Sequence, residues 1–180
     1  MKPLPAMTRE SFQILIVREL RKVGFDVGTV RTHRRSELPE PERGFVLELA
    51  VPLARAGTRW RALVACRHQA GTLERDVINS VKARLPEVPA DVSLVFATAD
   101  FGTDALAAAR EAGVALLRVV DGRTAYDTSG WNDPGHYPAW LPAYLAQVVD
   151  RDVTREPRAR LLEAGRPDMI LDCFRIESSA

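Results

Sequence analysis

Between Thr8 and Val23 the apolar positions recur at helical spacing, with Phe12, Leu15, Ile16, Leu20 and Val23 on one stripe. Thr8 is suited to cap this helix and Gly24 to end it. From Gly44 to His68 (GFVLELAVPLARAGTRWRALVACRH) the period changes to two, and the pattern predicts two strands joined at Ala56-Gly57-Thr58. Phe45, Leu47, Leu49 and Val51 share one face of the first strand, and Val46, Glu48 and Ala50 the other. On the second strand Leu63, Ala65 and Arg67 share a face, while Trp60, Ala62, Val64 and Cys66 mostly share the opposite one. A short strand is expected at Phe25 to Val30 and a loop from Arg31 to Arg43.

Further along, Leu73, Val77, Ile78, Val81 and Leu85 mark the buried face of a second helix, stopped by Pro86 and Pro89. Val92 to Ala97 and Val114 to Val120 are unbroken apolar runs on either side of a helix of Asp104 to Ala112, with Thr103 as its expected cap. That pattern predicts a right-handed crossover between strands buried on both faces. Pro142 fits the first turn of a helix running to about Val149. A linker is expected at Asp150 to Arg158, a short helix at Arg158 to Ala164, and a strand-like segment from Met169 to Ile176. The predicted fold is α/β, a mixed sheet flanked by helices in the order α-β-β-β-α-β-α-β with a C-terminal extension. Residues 1–122 form the domain, 123–150 an aromatic-rich loop and helix packed on it, and 151–180 a linker and tail.

Composition changes this picture little. A chain of 180 residues, 46% hydrophobic and 27% charged, has the make-up of a globular domain with a sizeable core. The net charge of +1 supplies no global attraction for nucleic acid, so any such attraction must come from a local patch. Nearly all the basic residues are Arg, with only Lys2, Lys22 and Lys82 as lysines; with abundant Ala this points to a GC-rich bacterial genome. Cys66 and Cys173 make no disulfide framework, and His33, His68 and His136 lack zinc spacing. The start, Met1-Lys2-Pro3-Leu4-Pro5, has no apolar signal core, and no run of about 18 apolar residues exists, so a cytoplasmic location and no membrane partner are expected.

The candidate chemistry lies on the hairpin. Glu48 sits among apolar residues, where a carboxylate is costly unless it is paired or binds something. Arg67 arrives from the neighbouring strand, and the two meet either as a structural ion pair or as a site. Arg31, His33, Arg34 and Arg35 form a basic cluster in the next segment upstream, either a solvated loop or a grip on phosphate. All three tyrosines and two of the three tryptophans fall in Tyr126 to Tyr144. This density fits a cover over a sheet edge or cleft, a contact surface, or a platform for unpaired bases. Trp131, Tyr137 and Trp140, with Phe174 in the tail, are the candidate partner contacts. The apolar tail is expected either to dock on a protein partner or second copy, or to belong to its own core.

The stretch Val64-Ala65-Cys66-Arg67 after a carboxylate strand resembles the active-site hairpin of restriction-endonuclease-like (PD-(D/E)xK) proteins of the Mrr type. The flanking order is similar too. A first helix ends in Gly24-Phe25, an apolar strand ends at Thr98, a helix opens with Phe101-Gly102-Thr103-Asp104-Ala105, and a strand closes in Asp121-Gly122. The resemblance covers about residues 8–122 and implies a DNA endonuclease fold using Mg²⁺. This chain departs from it at the site. Ala65 stands where the family carries a metal-site Gln or Glu, Arg67 where it carries the catalytic Lys, Gln13 where a helix Glu often joins, and Glu48 matches the family's Asp.

Ala65 offers Mg²⁺ no oxygen, and Arg67 keeps a positive charge but is no base at ordinary pH. The resemblance with these departures implies a degenerate, inactive nuclease domain, kept as a DNA-binding or assembly subunit in a bacterial defence or DNA-processing complex. Arg34, Arg35, Arg59, Arg61 and Arg67 are the expected contacts to duplex DNA. No cofactor is expected, beyond weak metal binding at Glu48. Two alternatives stand beside this reading: an active Mg²⁺ endonuclease with a migrated site at Glu48, Glu42 or Glu74, and a pure protein scaffold.

Overall fold

The computed structural model of the chain describes residues 4–129, 135–156 and 158–175. The first helix, α1 (Arg9–Val23), follows from its stripe. Phe12, Ile16, Leu20 and Val23 are fully buried, and each such side chain contributes roughly 1.5–3 kcal/mol over an exposed one. Thr8 Oγ1 accepts the Ser11 N–H at 3.1 Å, and Gly24, at φ 111°, closes the helix in the left-handed conformation.

Eight strands form one mixed sheet: β1 (Asp26–Val27), β2 (Arg31–Glu37), β3 (Phe45–Arg55), β4 (Thr58–His68), β6 (Val92–Ala97), β8 (Ala115–Asp121), β9 (Tyr144–Val149) and β10 (Ala159–Leu161). Two further strands, β5 (Thr72–Leu73) and β7 (Asp100–Phe101), pair with each other. The hairpin β3–β4 is the longest ladder, running from Phe45 opposite His68 to Arg55 opposite Thr58. Its tip is Ala56-Gly57, at φ 48° and 81°, the two positive angles that a two-residue hairpin turn requires. At the other end Gly44 admits no side chain, because a Cβ there would lie 1.7 Å from the His68 carbonyl oxygen. β4, β6 and β8 are parallel neighbours, with α2 (Arg75–Arg84) and α3 (Thr103–Ala112) connecting them.

The sheet separates two cores. Odd-numbered β3 residues from Phe45 to Leu53, with Val64, Cys66, Leu94, Phe96 and Leu117, pack under α1. Leu63, Ala65, Val95 and Leu116 pack under α2 and α3 through Ile78, Val81, Leu106 and Ala109. No helix among the described residues is long and apolar enough to cross a membrane.

The α/β class, the hairpin, the first helix and the strand at Val92–Ala97 stand as expected. Several other elements differ. The strand after Gly24 shrinks to β1, and the expected loop from Arg31 begins as β2, an exposed strand bulged at His33. A wholly polar strand carries no alternation to betray it. The second helix starts later than its apolar pattern suggested, after β5. Gly102, not Thr103, stands at the N-terminus of α3.

The largest corrections fall beyond residue 121. The chain first forms α4 (Gly122–Ser129); the expected helix from Pro142 is then β9, antiparallel to β8, and the expected helix at Arg158 is β10, antiparallel to β9. Leu145 and Val149 point to the α2–α3 side and Ala146 and Val148 to the α1 side; a short run buried on both faces has no period to separate strand from helix. The strand-like tail is instead α5 (Asp168–Leu171) and a 3₁₀ turn (Asp172–Phe174), started by Pro167; Ile176 lies outside the described residues. Met169, Ile170 and Cys173 are buried in the α1-side core, and Phe174 packs against it. Residues expected as a linker and tail therefore extend the same sheet and fill the same core.

Candidate nucleic-acid interface

The ladder places Glu48 opposite Ala65 on β4 and opposite Arg34 on β2. Directly opposed residues share a face, so these three lie on the α2 side, as do Val46 and its partner Arg67. Glu48 is only 4% exposed. Its carboxylate meets Arg84 from the last turn of α2, whose Nε donates to Glu48 Oε2 at 3.1 Å. Arg84 also bonds Glu87. Glu48 is the first cause of the raised pKa of Arg84. The buried carboxylate is thus paired, with Arg84 rather than with the expected Arg67.

Arg67 is the unusual member. Its Nε–H is buried and finds no acceptor, and no carboxylate lies within ion-pair distance of it among the described residues. Burial first, and then the nearby charge of Arg34, push its pKa down; Glu48 and Asp76 oppose that shift from a longer range. Arg34 is exposed and likewise forms no ion pair. Two guanidinium groups therefore share this face near the open end of the hairpin, on β2 and β4 with β3 between them.

The other expected contacts are dispersed. Arg35 is opposite Leu47 and so lies on the α1 side of the edge strand. Arg59 and Arg61 share the Arg67 face but sit near the hairpin tip, Arg59 eight residues or about 26 Å along the strand from Arg67. Arg61 is occupied by Asp91: Nη2 meets Oδ1 at 2.6 Å, while Nε and the backbone N–H donate to Oδ2 at 3.2 and 2.8 Å. These hydrogen bonds hold the Asp91 carboxyl down at about 2. The five arginines do not line one groove.

Gln13 is on α1, across the sheet from Glu48, so the four positions matched to the resemblance do not converge. Ala65 is buried and offers no ligand atom. Glu42 is exposed on the turn before β3, and Glu74 lies against Gly102 at the start of α3. No group of three or more His, Cys, Asp or Glu side chains forms a metal-binding cluster among the described residues. The donor set around Glu48, one carboxylate already bonded to a guanidinium, does not fit Mg²⁺, which requires several hard oxygens.

The aromatic segment divides. Tyr137 is half-buried, donates to Asp127 Oδ2 at 2.7 Å and lies under the Arg123 guanidinium, 5.1 Å from the ring centre. Trp140 is 70% exposed. Trp131 lies outside the described residues. Cys66 is fully buried, and burial pushes its thiol pKa up, as expected of an inert core cysteine.

Arg84 and Asp76 were missed by sequence reasoning. Their spacing of eight puts them on one stripe of α2, a pattern that many solvated helices share. His68 was missed as a buried polar group: it packs against Phe45 at 4.8 Å and Phe12 at 6.4 Å, and its Nδ1 has no partner. No family model, curated protein or solved structure matches the chain.

Proposed function

We propose that this is a nuclease-like domain without a hydrolytic centre, which holds a nucleic-acid phosphate backbone at the open end of the β2–β3–β4 meander. The observation that carries the reading is Arg67: a half-buried guanidinium with an orphaned Nε, beside the unpaired Arg34. Leaving a buried donor without an acceptor is costly, and two neighbouring cations repel. A phosphate oxygen between them relieves both terms, and guanidinium is the side chain best matched to phosphate. Arg31 adds a third cation on the same face of the edge strand.

The element order also supports the restriction-endonuclease-like part of the reading. One helix, an antiparallel meander, a second helix and a parallel strand follow in that sequence. The lack of hydrolysis follows from Ala65, which offers no ligand atom, and from the Glu48–Arg84 pair, which occupies the buried carboxylate. The exposed Trp140 favours a second reading, a protein-assembly subunit that meets no nucleic acid.

Fluorescence anisotropy with a labelled duplex, read across 50 to 200 mM salt, separates the two. Weak binding without sequence preference is expected, with affinity falling steeply as salt rises, because the counterions released on binding gain less entropy in a saltier solution. Arg34→Ala and Arg67→Ala should each lower the salt slope by about one, the signature of a lost phosphate contact. Duplex incubated with Mg²⁺ or Mn²⁺ should stay intact. Cleavage that vanishes in Glu48→Ala would instead establish the active endonuclease, and no binding at 50 mM salt would leave the assembly reading.

A further inference from the structure

The outer face of α1 carries a stripe that the core does not use. Ile14 is 67% exposed, one of three exposed large apolar side chains among the described residues, with Trp140 and Val153. It belongs to an open patch formed by Glu10, Gln13, Ile14, Val17, Arg18 and Arg21, all on the outer face of α1. Glu10, Ile14, Val17 and Arg21 are spaced by four, three and four, so they follow one another along a single face over three turns. The acidic end, Glu10, has no partner among the described residues, and the basic end, Arg21, makes only a long contact of 3.5 Å to the Val27 carbonyl.

This stripe is complementary to itself when reversed. If two copies of α1 cross antiparallel about a two-fold axis between Leu15 and Ile16, position i meets position 31 − i. Ile14 then packs on Val17 of the other copy, Glu10 meets Arg21, and Gln13 meets Arg18, all twice over by symmetry. A parallel crossing would set Glu10 against Glu10 and Arg21 against Arg21. Isologous contacts need this kind of self-complementary patch, and the charges select one direction. We propose that α1 docks on α1 of a second copy of this chain in that antiparallel register, making a two-fold dimer. The inference does not depend on the nucleic-acid reading, since α1 lies across the sheet from Arg67.

Sedimentation velocity of the full chain over a range of micromolar concentrations tests it. A monomer–dimer equilibrium is expected. Glu10→Arg and Arg21→Glu should each weaken it at least about tenfold by setting like charges face to face, and the double reversal should restore it. Ile14→Glu should leave a monomer that melts as the wild-type chain does when diluted to monomer, because the side chain is exposed in the fold. A mixture of Ile14→Cys and Val17→Cys chains should cross-link on mild oxidation, and the native Cys66 and Cys173 are buried and out of reach. A chain that is monomeric throughout, a dimer that survives Ile14→Glu, or a double reversal no better than the singles would overturn the proposal.

Discussion

On the α1 side of the sheet, β3 and β4 present Phe45, Leu47, Leu49, Val64 and Cys66 to a continuous apolar core. On the α2 side the same two strands present Glu48, Ala65 and Arg67 beside Arg84. Alternation along two strands thus builds a wholly apolar packing surface on one face and, on the other, a charged cluster beside Ala65 at the edge of the second core. The α1 side is where loss of volume should be felt, and the α2 side where loss of charge should be felt.

The largest test removes volume from the first side. Phe12 is fully buried, 6.0 Å from the Phe45 ring and edge-on to it. Phe12→Ala should cost about 3–5 kcal/mol by denaturant titration, while duplex affinity of the folded fraction stays unchanged. A loss of binding without a loss of stability would break the division between the faces.

The next test removes charge from the second side. Arg84→Ala strands Glu48 as a buried carboxylate without its partner, whereas Glu48→Leu removes the buried charge itself. Arg84→Ala should therefore lower the melting temperature more than Glu48→Leu does. The reverse order would mean that Arg84 stabilises chiefly through Glu87.

A smaller effect concerns the polar group on the apolar side. Burial holds the His68 pKa below its ordinary value, partly opposed by a backbone hydrogen bond with Pro5. The folded state thus resists protonation more than the unfolded chain does. Its contribution is complete above about pH 6.5 and is lost as the pH falls below that, by up to about 1.4 kcal/mol per unit. Melting curves between pH 7.5 and 5 should show this loss, and His68→Phe should flatten it. An unchanged slope in that variant would assign the acid sensitivity to carboxylates.

The smallest is at the hairpin tip, which belongs to neither face. Ala56 holds φ 48° without being glycine. Ala56→Gly should raise stability by less than about 1 kcal/mol, measured as a small rise in melting temperature. A fall would mean that the unfolded chain's gain in freedom outweighs the relieved strain.

The same contrast explains what could be read before the fold was known. β3 and β4 are legible because their two faces differ, and α1 because its stripe is bounded by Thr8 and Gly24. β9 is not, because Leu145, Ala146, Val148 and Val149 are buried on both sides, and two apolar pairs separated by one residue mimic a helix turn. β2 is hidden for the opposite reason, being polar on both sides. At the site, Glu48 and Arg67 stand out as charges within apolar strands. Arg84 does not, since it lies 36 residues from Glu48 and only the packing of α2 brings them together.

Leu162, Met169, Ile170 and Cys173 complete the hydrophobic bed of α1, and the Gly165 N–H bonds the Lys22 carbonyl at 2.9 Å. An early element of the chain is thereby finished by a late one. During vectorial synthesis, the helix made first must wait through some 140 residues of translation before the last part of its packing surface leaves the ribosome. Over that interval one flank of its stripe is open to chaperones, and a ribosome stalled before residue 162 presents a nascent chain whose helix rests on a paired sheet but lacks the Leu162, Met169, Ile170 and Cys173 cover.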